Sequence, residues 1–156
     1  FLCSEHFGIK PDITTLAKGL GGGLPIGAIL MNKKCSDVFV PGDHASTFGA
    51  NPVVAAGALE VLNIIDKSLL KEVEKKSKYI KSKLTKLNNV VSVDGIGLML
   101  GIGLKEGLNA REIVEKCISK GVIPLTAKNK IRLLPPLTIT DKELEKAVSI
   151  LSECIG

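Results

Sequence analysis

A single lysine followed by a run of glycines is the part of this sequence best suited to chemistry. Lys18 begins the stretch KGLGGG, with apolar residues on both sides of it. An amine in apolar surroundings has a lowered pKa and is nucleophilic toward carbonyl compounds, because desolvation disfavours its charged form. Glycine in an ordered segment costs roughly 0.5–1 kcal/mol relative to alanine. The cluster therefore indicates either unusual backbone geometry or a ligand lying against the backbone.

Two well-known glycine-rich motifs do not fit this stretch. A P-loop has its lysine after the glycines and before Ser or Thr, whereas Lys18 comes first and is followed by glycine. A dinucleotide fingerprint that starts at Gly19 requires glycine at position 24, which is leucine. A second glycine-rich stretch, GIGLMLGIG at 95–103, is typical of a turn and of closely packed strands. Spacing alone leaves Lys18 either as a Schiff-base lysine or as a solvated surface charge.

Composition excludes several other classes of protein. The four cysteines and two histidines are scattered without C-x-x-C or zinc-type spacing, so we expect reduced thiols and no metal site. No apolar run approaches the roughly 20 residues of a membrane span, and the first residues lack the landmarks of a signal peptide. These features predict a cytoplasmic protein that does not contact a membrane.

The net charge of +5 raises the question of nucleic-acid binding. Much of the charge lies at 69–87, where lysines alternate with apolar residues at helical spacing, which is typical of a packed helix with a solvated outer face. Aromatic residues make up only 3% of the chain. We therefore do not expect nucleic acid as a partner, and a non-catalytic basic interaction module built on this helix remains the alternative from another functional class.

The periodicity predicts two parts. In the first, 26–32 is expected to form a short buried strand, and Asn51 with Pro52 should begin a helix that is apolar nearly all round and therefore buried. In the second, strands and helices should alternate as a small α+β layer, with capping boxes at Asn109–Glu112 and Thr140–Glu143 and Gly121 ending a helix. The expected strands are 90–95, 98–104, 121–125 and 130–135, and the expected helices run to about 87, from 109 to 120 and from 141 to 155.

Three stretches together resemble the class III, pyridoxal-phosphate-dependent aminotransferases: PDITTLAKGLGGGLPIGA, PGDHASTFGANP and IRLLPPLTIT. The resemblance runs along the whole chain in the family's order. It implies an α/β fold, the C-terminal portion of a fold-type I transferase that depends on pyridoxal 5'-phosphate. Residues 1–66 would end the large cofactor domain, and residues 67–156 would form the small α+β C-terminal domain.

The resemblance also implies roles for four residues. Lys18 is expected to bind the cofactor covalently and to carry a proton during catalysis. Thr47, with Ser46 beside it, is expected to contact the phosphate of the cofactor held by the other subunit of a homodimer with a shared active site. Arg132 is expected to bind the carboxylate of the substrate. Structural alternatives remain open, namely Thr47 as a cap of the following helix and Arg132 as a surface strand residue. The glycines after Lys18 would keep side chains away from the cofactor.

Within that family the motifs favour transfer of an amino group from N-acetylornithine to 2-oxoglutarate, a step of arginine biosynthesis. Ornithine, 4-aminobutyrate and succinyl-diaminopimelate are the alternative amino donors. The family's phosphate loop, its stacking aromatic residue and its aspartate for the pyridine nitrogen are expected upstream of Phe1. We therefore expect this chain to be a C-terminal fragment that is inactive by itself.

Overall fold

The computed structural model describes residues 1–156, which form two compact units, Phe1–Lys67 and Ser68–Gly156. Unit 1 denotes the first and unit 2 the second. No helix of the chain is long and apolar enough to cross a membrane.

Unit 1 consists of a two-stranded antiparallel sheet, three short 3₁₀ turns and one helix. Strand β1 (Ile13–Leu16) pairs with β2 (Ala28–Met31), and the segment between them contains the 3₁₀ turn Lys18–Gly21. The register joins Ile13 with Met31 and Leu16 with Ala28. The sheet therefore brings the two ends of the glycine-rich segment together.

Helix α1 (Pro52–Ile64) begins as the sequence predicts. The Asn51 side chain accepts hydrogen bonds from the backbone N–H groups of Val53 and Val54, at 3.0 and 3.3 Å, and Pro52 occupies the first turn. The cap satisfies amides that have no partner inside the helix.

The predicted burial of α1 and β2 is wrong for this structure. Ala58 is the one buried residue of α1, whereas Val53 and Leu59 are 69% and 60% exposed. Ile29 of β2 is also mostly exposed. The residues of α1 and β2 are of the apolar types that are usually buried, but a two-stranded sheet is too small to cover a helix that is apolar all round. Unit 1 thus presents a large apolar surface.

Unit 2 is built on a four-stranded antiparallel sheet in the order β3-β4-β6-β5. The strands are β3 (Val90–Ile96), β4 (Met99–Leu104), β5 (Leu125–Ala127) and β6 (Lys130–Leu133). The strand predicted at 121–125 begins only at Leu125, because the residues before it complete the end of the preceding helix. A tight turn joins β3 to β4, and Gly95 has a φ of +121° with no room for a Cβ, which would lie 2.1 Å from the Met99 carbonyl oxygen.

Three helices complete unit 2: α2 (Lys67–Leu84, whose first residue belongs to unit 1), α3 (Ala110–Ser119) and α4 (Asp141–Ile155). Thr140 and Glu143 form the predicted capping box at the start of α4. At the end of α3, Val122 N–H donates to the Cys117 carbonyl and Gly121 N–H to the Ile118 carbonyl, both at 3.0 Å. This is a Schellman motif with Gly121 in the left-handed region, as predicted.

The capping box predicted at the start of α3 is only half formed. Asn109 accepts from the Arg111 amide, so it is the N-cap. Glu112, however, accepts from the Asn109 side-chain amide rather than from the Asn109 backbone. The two side chains satisfy each other, and the second backbone bond of a capping box is not made.

The core of unit 2 lies between the helices and one face of the sheet. Leu100 and Ile102 of β4 and Ile131 of β6 are fully buried in it. Alternate residues of these strands, Gly101 and Arg132, lie on the opposite face, because successive side chains of a strand point to opposite sides. The fold therefore places Arg132 on the sheet face that the helices do not cover.

Candidate active site

Lys18 lies directly after β1 and has an unusual backbone. It is the first residue of the 3₁₀ turn, and its φ of +55° is in the left-handed region. A residue with a Cβ pays roughly 1–2 kcal/mol for that conformation, and such outliers cluster at ligand and active sites. The side chain is exposed and makes no ion pair or hydrogen bond within the chain. An amine held in this way is free to react with a carbonyl group.

The glycines after Lys18 have two different roles. A Cβ on Gly21 would lie 2.9 Å from Ile26 Cγ2, and one on Gly22 would lie 2.9 Å from Val61 Cγ2 of α1. These glycines allow the turn to pack closely, and Gly22 also has a φ of +61°. Gly19, next to Lys18, has nothing within 4 Å of its Cβ position. Close packing therefore explains Gly21 and Gly22, and the expectation that the glycines keep side chains away from a ligand stays a prediction, for which Gly19 and Gly23 have open space.

Ser46 and Thr47 lie in the loop before α1, within unit 1. The loop turns tightly: Gly49 N–H donates to the Ser46 carbonyl at 3.2 Å, and Ala50 has a φ of +55°. Both residues are exposed, and no hydrogen bond joins either hydroxyl to Lys18. Thr47 does not cap the following helix, because Asn51 does so. That structural alternative is excluded, and two hydroxyls remain available for an external acceptor.

Arg132 is half-buried in β6, within unit 2, and has a donor without a partner. The register sets it opposite Gly101 on one side and Leu125 on the other. Its Nε is shielded from solvent and makes no hydrogen bond. Buried donors are nearly always paired, so this one indicates a missing acceptor. A guanidinium matches a carboxylate in shape and charge, which makes a carboxylate the fitting acceptor.

An ion pair that the sequence did not predict lies on the same sheet face as Arg132. Lys130 Nζ donates to Asp94 Oδ2 at 2.6 Å, and Ser92 Oγ donates to the same oxygen at 2.8 Å. These two donors hold the pKa of Asp94 below its ordinary value, with Lys130 the larger cause. The sequence contained one sign of this arrangement: Lys130 and Arg132 are two positions apart in one strand, so their side chains share a face. The partner Asp94 could not be recognised from the sequence, because it lies in β3, which is not adjacent to β6.

One cavity of unit 2 contains none of the predicted site residues. It measures about 620 Å³ and is lined mainly by apolar residues of α4 and of the loops at 121–124 and 133–139. No group of three or more His, Cys, Asp or Glu side chains is placed to hold a metal ion.

The site residues fit the cofactor that the resemblance implies. Lys18 supplies an unpaired amine for the aldehyde of pyridoxal phosphate, and Ser46 and Thr47 supply hydroxyl donors for a phosphate. The unpaired Nε of Arg132 suits the carboxylate of an amino acid or oxo acid. Lys18, Ser46 and Thr47 belong to unit 1 and Arg132 to unit 2.

Comparison with known proteins agrees with these features. The family model for class-III aminotransferases matches residues 1–155. The chain is 46% identical over 152 residues to the acetylornithine aminotransferase of Haemophilus ducreyi, with 97% of this chain and 39% of that protein covered. It is 42% identical over 156 residues to the enzyme of the same name from Aquifex aeolicus, with 99% of this chain and 40% of that protein covered. The chain thus spans about two fifths of the length of these relatives.

Solved structures give the same answer for the fold. The acetylornithine aminotransferase of Elizabethkingia anophelis is 32% identical with a TM-score of 0.88, covering 99% of this chain and 41% of that one. An ornithine aminotransferase of Plasmodium yoelii is 36% identical with a TM-score of 0.85, covering 99% and 43%. The predicted fold class, part of a pyridoxal-phosphate-dependent transferase, is confirmed. The chain belongs to the class-III aminotransferases, a family that depends on pyridoxal phosphate.

Proposed function

We propose that this chain is the C-terminal part of an aminotransferase that moves an amino group from N-acetylornithine to 2-oxoglutarate. The observation that carries the proposal is Lys18, an exposed amine without a partner on left-handed backbone, in a chain that the family model matches from end to end. The relatives named acetylornithine aminotransferase support this amino donor. Residues 1–66 are then the end of a large cofactor domain and 67–156 a small C-terminal domain.

Lys18 has two tasks in this proposal. Its Nζ would hold the cofactor covalently. In catalysis the same Nζ would accept the proton from the substrate carbon that bears the amine and later give it back, as a base and then as an acid. The bound pyridoxal phosphate supplies the electron sink that makes this proton removable. The left-handed backbone conformation of Lys18 sets the direction in which its side chain leaves the backbone.

Ser46 and Thr47 bind phosphate in this proposal, and they do so across a homodimer. Hydroxyls and turn amides donate to phosphate oxygens, and both hydroxyls are exposed. Unit 1 also exposes apolar residues that a second subunit can cover, among them Phe48 at 83% exposure beside Thr47. The homodimer with a shared active site and the cytoplasmic location are both parts of the proposal.

Arg132 binds the carboxylate of each substrate in turn. Its planar fork can donate two parallel hydrogen bonds, which fixes the direction of the substrate as well as its position. The donor pair includes Nε, the atom that lacks a partner within the chain.

Ornithine is the second candidate amino donor. The ornithine aminotransferase of Plasmodium yoelii is 36% identical to the chain, compared with 46% for the acetylornithine aminotransferase of Haemophilus ducreyi. The two donors differ in the acetyl group, so they can be distinguished by giving each to the same enzyme.

The test uses the protein that contains this chain, purified with pyridoxal phosphate. We expect Lys18→Ala to lose both the covalent cofactor link that borohydride makes permanent and nearly all glutamate formation from N-acetylornithine and 2-oxoglutarate. Lys10→Ala is the matched control, because Lys10 is an exposed lysine outside the KGLGGG stretch.

The outcomes separate the parts of the proposal. Wild-type turnover in Lys18→Ala would falsify the role of Lys18. Turnover with ornithine at a much higher kcat/KM than with N-acetylornithine would keep the reaction class and replace the amino donor.

A further inference from the structure

The sheet face of unit 2 that the helices leave uncovered brings an acidic side chain close to Arg132. Asp94 of β3 and Arg132 of β6 are both paired in register with Gly101 of β4, which lies between them. Neighbouring strands are about 4.7–4.9 Å apart, so the two Cα atoms are separated by roughly 9–10 Å. An aspartate and an arginine side chain can together bridge that distance. Because Gly101 has no side chain, β4 itself places nothing between the carboxylate and the guanidinium.

Asp94 nevertheless pairs with Lys130 and not with Arg132. Lys130 Nζ donates to Asp94 Oδ2 at 2.6 Å, and Ser92 Oγ donates to the same oxygen at 2.8 Å. The Lys130 side chain reaches Asp94 by crossing β4 above Gly101, where its Cδ lies 3.6 Å from the position of a Gly101 Cβ. Lys130 therefore binds the carboxylate and also fills space between Asp94 and Arg132.

The guanidinium of Arg132 is the better partner for a carboxylate. A guanidinium binds a carboxylate through two parallel hydrogen bonds, whereas an ammonium acts as a point charge. The Nε of Arg132 is shielded from solvent and has no partner. The Lys130 and Asp94 side chains are 41% and 60% exposed, and ion pairs as exposed as this one contribute little to stability. The effect of the pair on the partner of Asp94 is therefore more important than its effect on stability.

We propose that Lys130 is a positioning residue: it holds Asp94 away from Arg132, so that the guanidinium stays free for the carboxylate of a substrate. This inference rests on the proposed role of Arg132 in binding both substrates. Without Lys130, Asp94 becomes an internal carboxylate that competes with the substrate for Arg132. When only a fraction of a protein has its binding site free, the apparent affinity for the ligand falls by that fraction.

The first test is structural and requires no turnover. The protein that contains this chain is crystallised without substrate, as the wild type and as Lys130→Ala, which removes both the ammonium and the stem above Gly101. We expect an Asp94 carboxylate oxygen to lie within hydrogen-bond distance of the Arg132 guanidinium in the variant and not in the wild type. If Lys130→Ala folds poorly, Lys130→Thr replaces it, because threonine is also short and suits a strand.

The second test measures kcat/KM for N-acetylornithine and for 2-oxoglutarate, the proposed substrates. We expect Lys130→Ala to lower both values about 3- to 5-fold with kcat unchanged, because a partly exposed ion pair with Asp94 would occupy Arg132 to that extent. Adding Asp94→Asn should restore both values, since an uncharged amide is a weak competitor for the guanidinium. Lys116→Ala is the matched control, because Lys116 is an exposed lysine of α3 and its loss changes the net charge equally.

The two measurements separate this inference from the proposed function. An Asp94 that stays away from Arg132 in Lys130→Ala would overturn the inference. A loss of kcat/KM that Asp94→Asn does not restore would also overturn it, because that is the result expected of an ion pair with only a structural role. A contact between Asp94 and Arg132 with unchanged kcat/KM would support the role of Lys130 and would contradict carboxylate binding by Arg132 in the proposed function.

Discussion

At the scale of single residues, Lys18 and Arg132 show how far a motif reaches. The residues around them made both candidates for the site, because those motifs are local strings, and their roles stay predictions. The sequence could not predict the left-handed backbone of Lys18 or the unpaired Nε of Arg132. It also could not predict that Gly22 makes room for Val61, because that contact joins residues far apart in the sequence. Motifs made of neighbouring residues could be recognised in the sequence, whereas contacts between residues far apart in the sequence could not be predicted.

The buried Nε of Arg132 leads to a prediction for the protein that contains this chain. Arg132→Lys keeps the charge and loses the planar fork. We expect the KM for the proposed amino donor and for the proposed acceptor, 2-oxoglutarate, each to rise about 10- to 100-fold, since a hydrogen bond to a charged group contributes roughly 1.5–3 kcal/mol. Steady-state kinetics with each substrate varied in turn measures this. Arg111→Lys is the control, because Arg111 is exposed and pairs with Glu115; equal KM values for the wild type and Arg132→Lys would return Arg132 to a structural role.

At the scale of elements, the ends of helices were easier to predict than the burial of their side chains. The starts of α1 and α4 and the end of α3 follow from Asn51, Thr140 and Gly121, because capping involves residues two to four positions apart. The burial predicted for α1 and β2 depended on neighbours that no local pattern specifies, and it was wrong. Strand β5 started later than predicted because the Schellman motif of α3 uses Gly121 and Val122.

The capping box of α4 gives a prediction about the stability of unit 2. Thr140 Oγ1 accepts from the Glu143 amide at 3.2 Å, and the Thr140 amide donates to Glu143 Oε2 at 3.0 Å. Thr140→Ala should lower the free energy of unfolding by about 1 kcal/mol, and Thr140→Ser should retain most of it. Urea unfolding of residues 67–156 measures both. No difference between Thr140→Ala and the wild type would contradict this role of the cap.

The contribution of this cap to stability depends on pH, and the pKa shift of Glu143 determines the direction of that dependence. The hydrogen bonds from Thr140 hold the pKa of Glu143 below its ordinary value of 4.5. A lowered folded-state pKa stabilises the fold above the unfolded value and loses that contribution as pH falls through the folded value. The stability difference between the wild type and Glu143→Gln should therefore be present at neutral pH and shrink below about pH 4.5.

At the scale of the whole molecule, the two units differ sharply in how much they bury. All residues of the hydrophobic core cluster belong to unit 2, whereas in unit 1 only Ala58 and Gly21 are buried. Sixteen of the 24 exposed large hydrophobic residues lie in unit 1. A soluble monomer rarely exposes so much apolar surface in one region, so unit 1 requires a partner surface for stability.

The asymmetry predicts that the units behave differently when separated. Residues 67–156 contain a closed core, a four-stranded sheet and three helices, two of which have side-chain N-caps, so we expect them to unfold cooperatively and reversibly as a monomer. The 156-residue chain adds exposed residues such as Phe39, Phe48 and Val53, and it should bind the dye ANS and self-associate as its concentration rises. Sedimentation and dye fluorescence of the two proteins, compared at equal concentration, measure self-association and exposed apolar surface.

Replacing Phe48, Val53 and Leu59 with serine should reduce association of the full chain, while the same number of serines at exposed polar positions of α2 should leave it unchanged. A full chain that remains monomeric and dark with ANS would mean that unit 1 covers its apolar residues by itself, and the need for a partner surface would then be wrong.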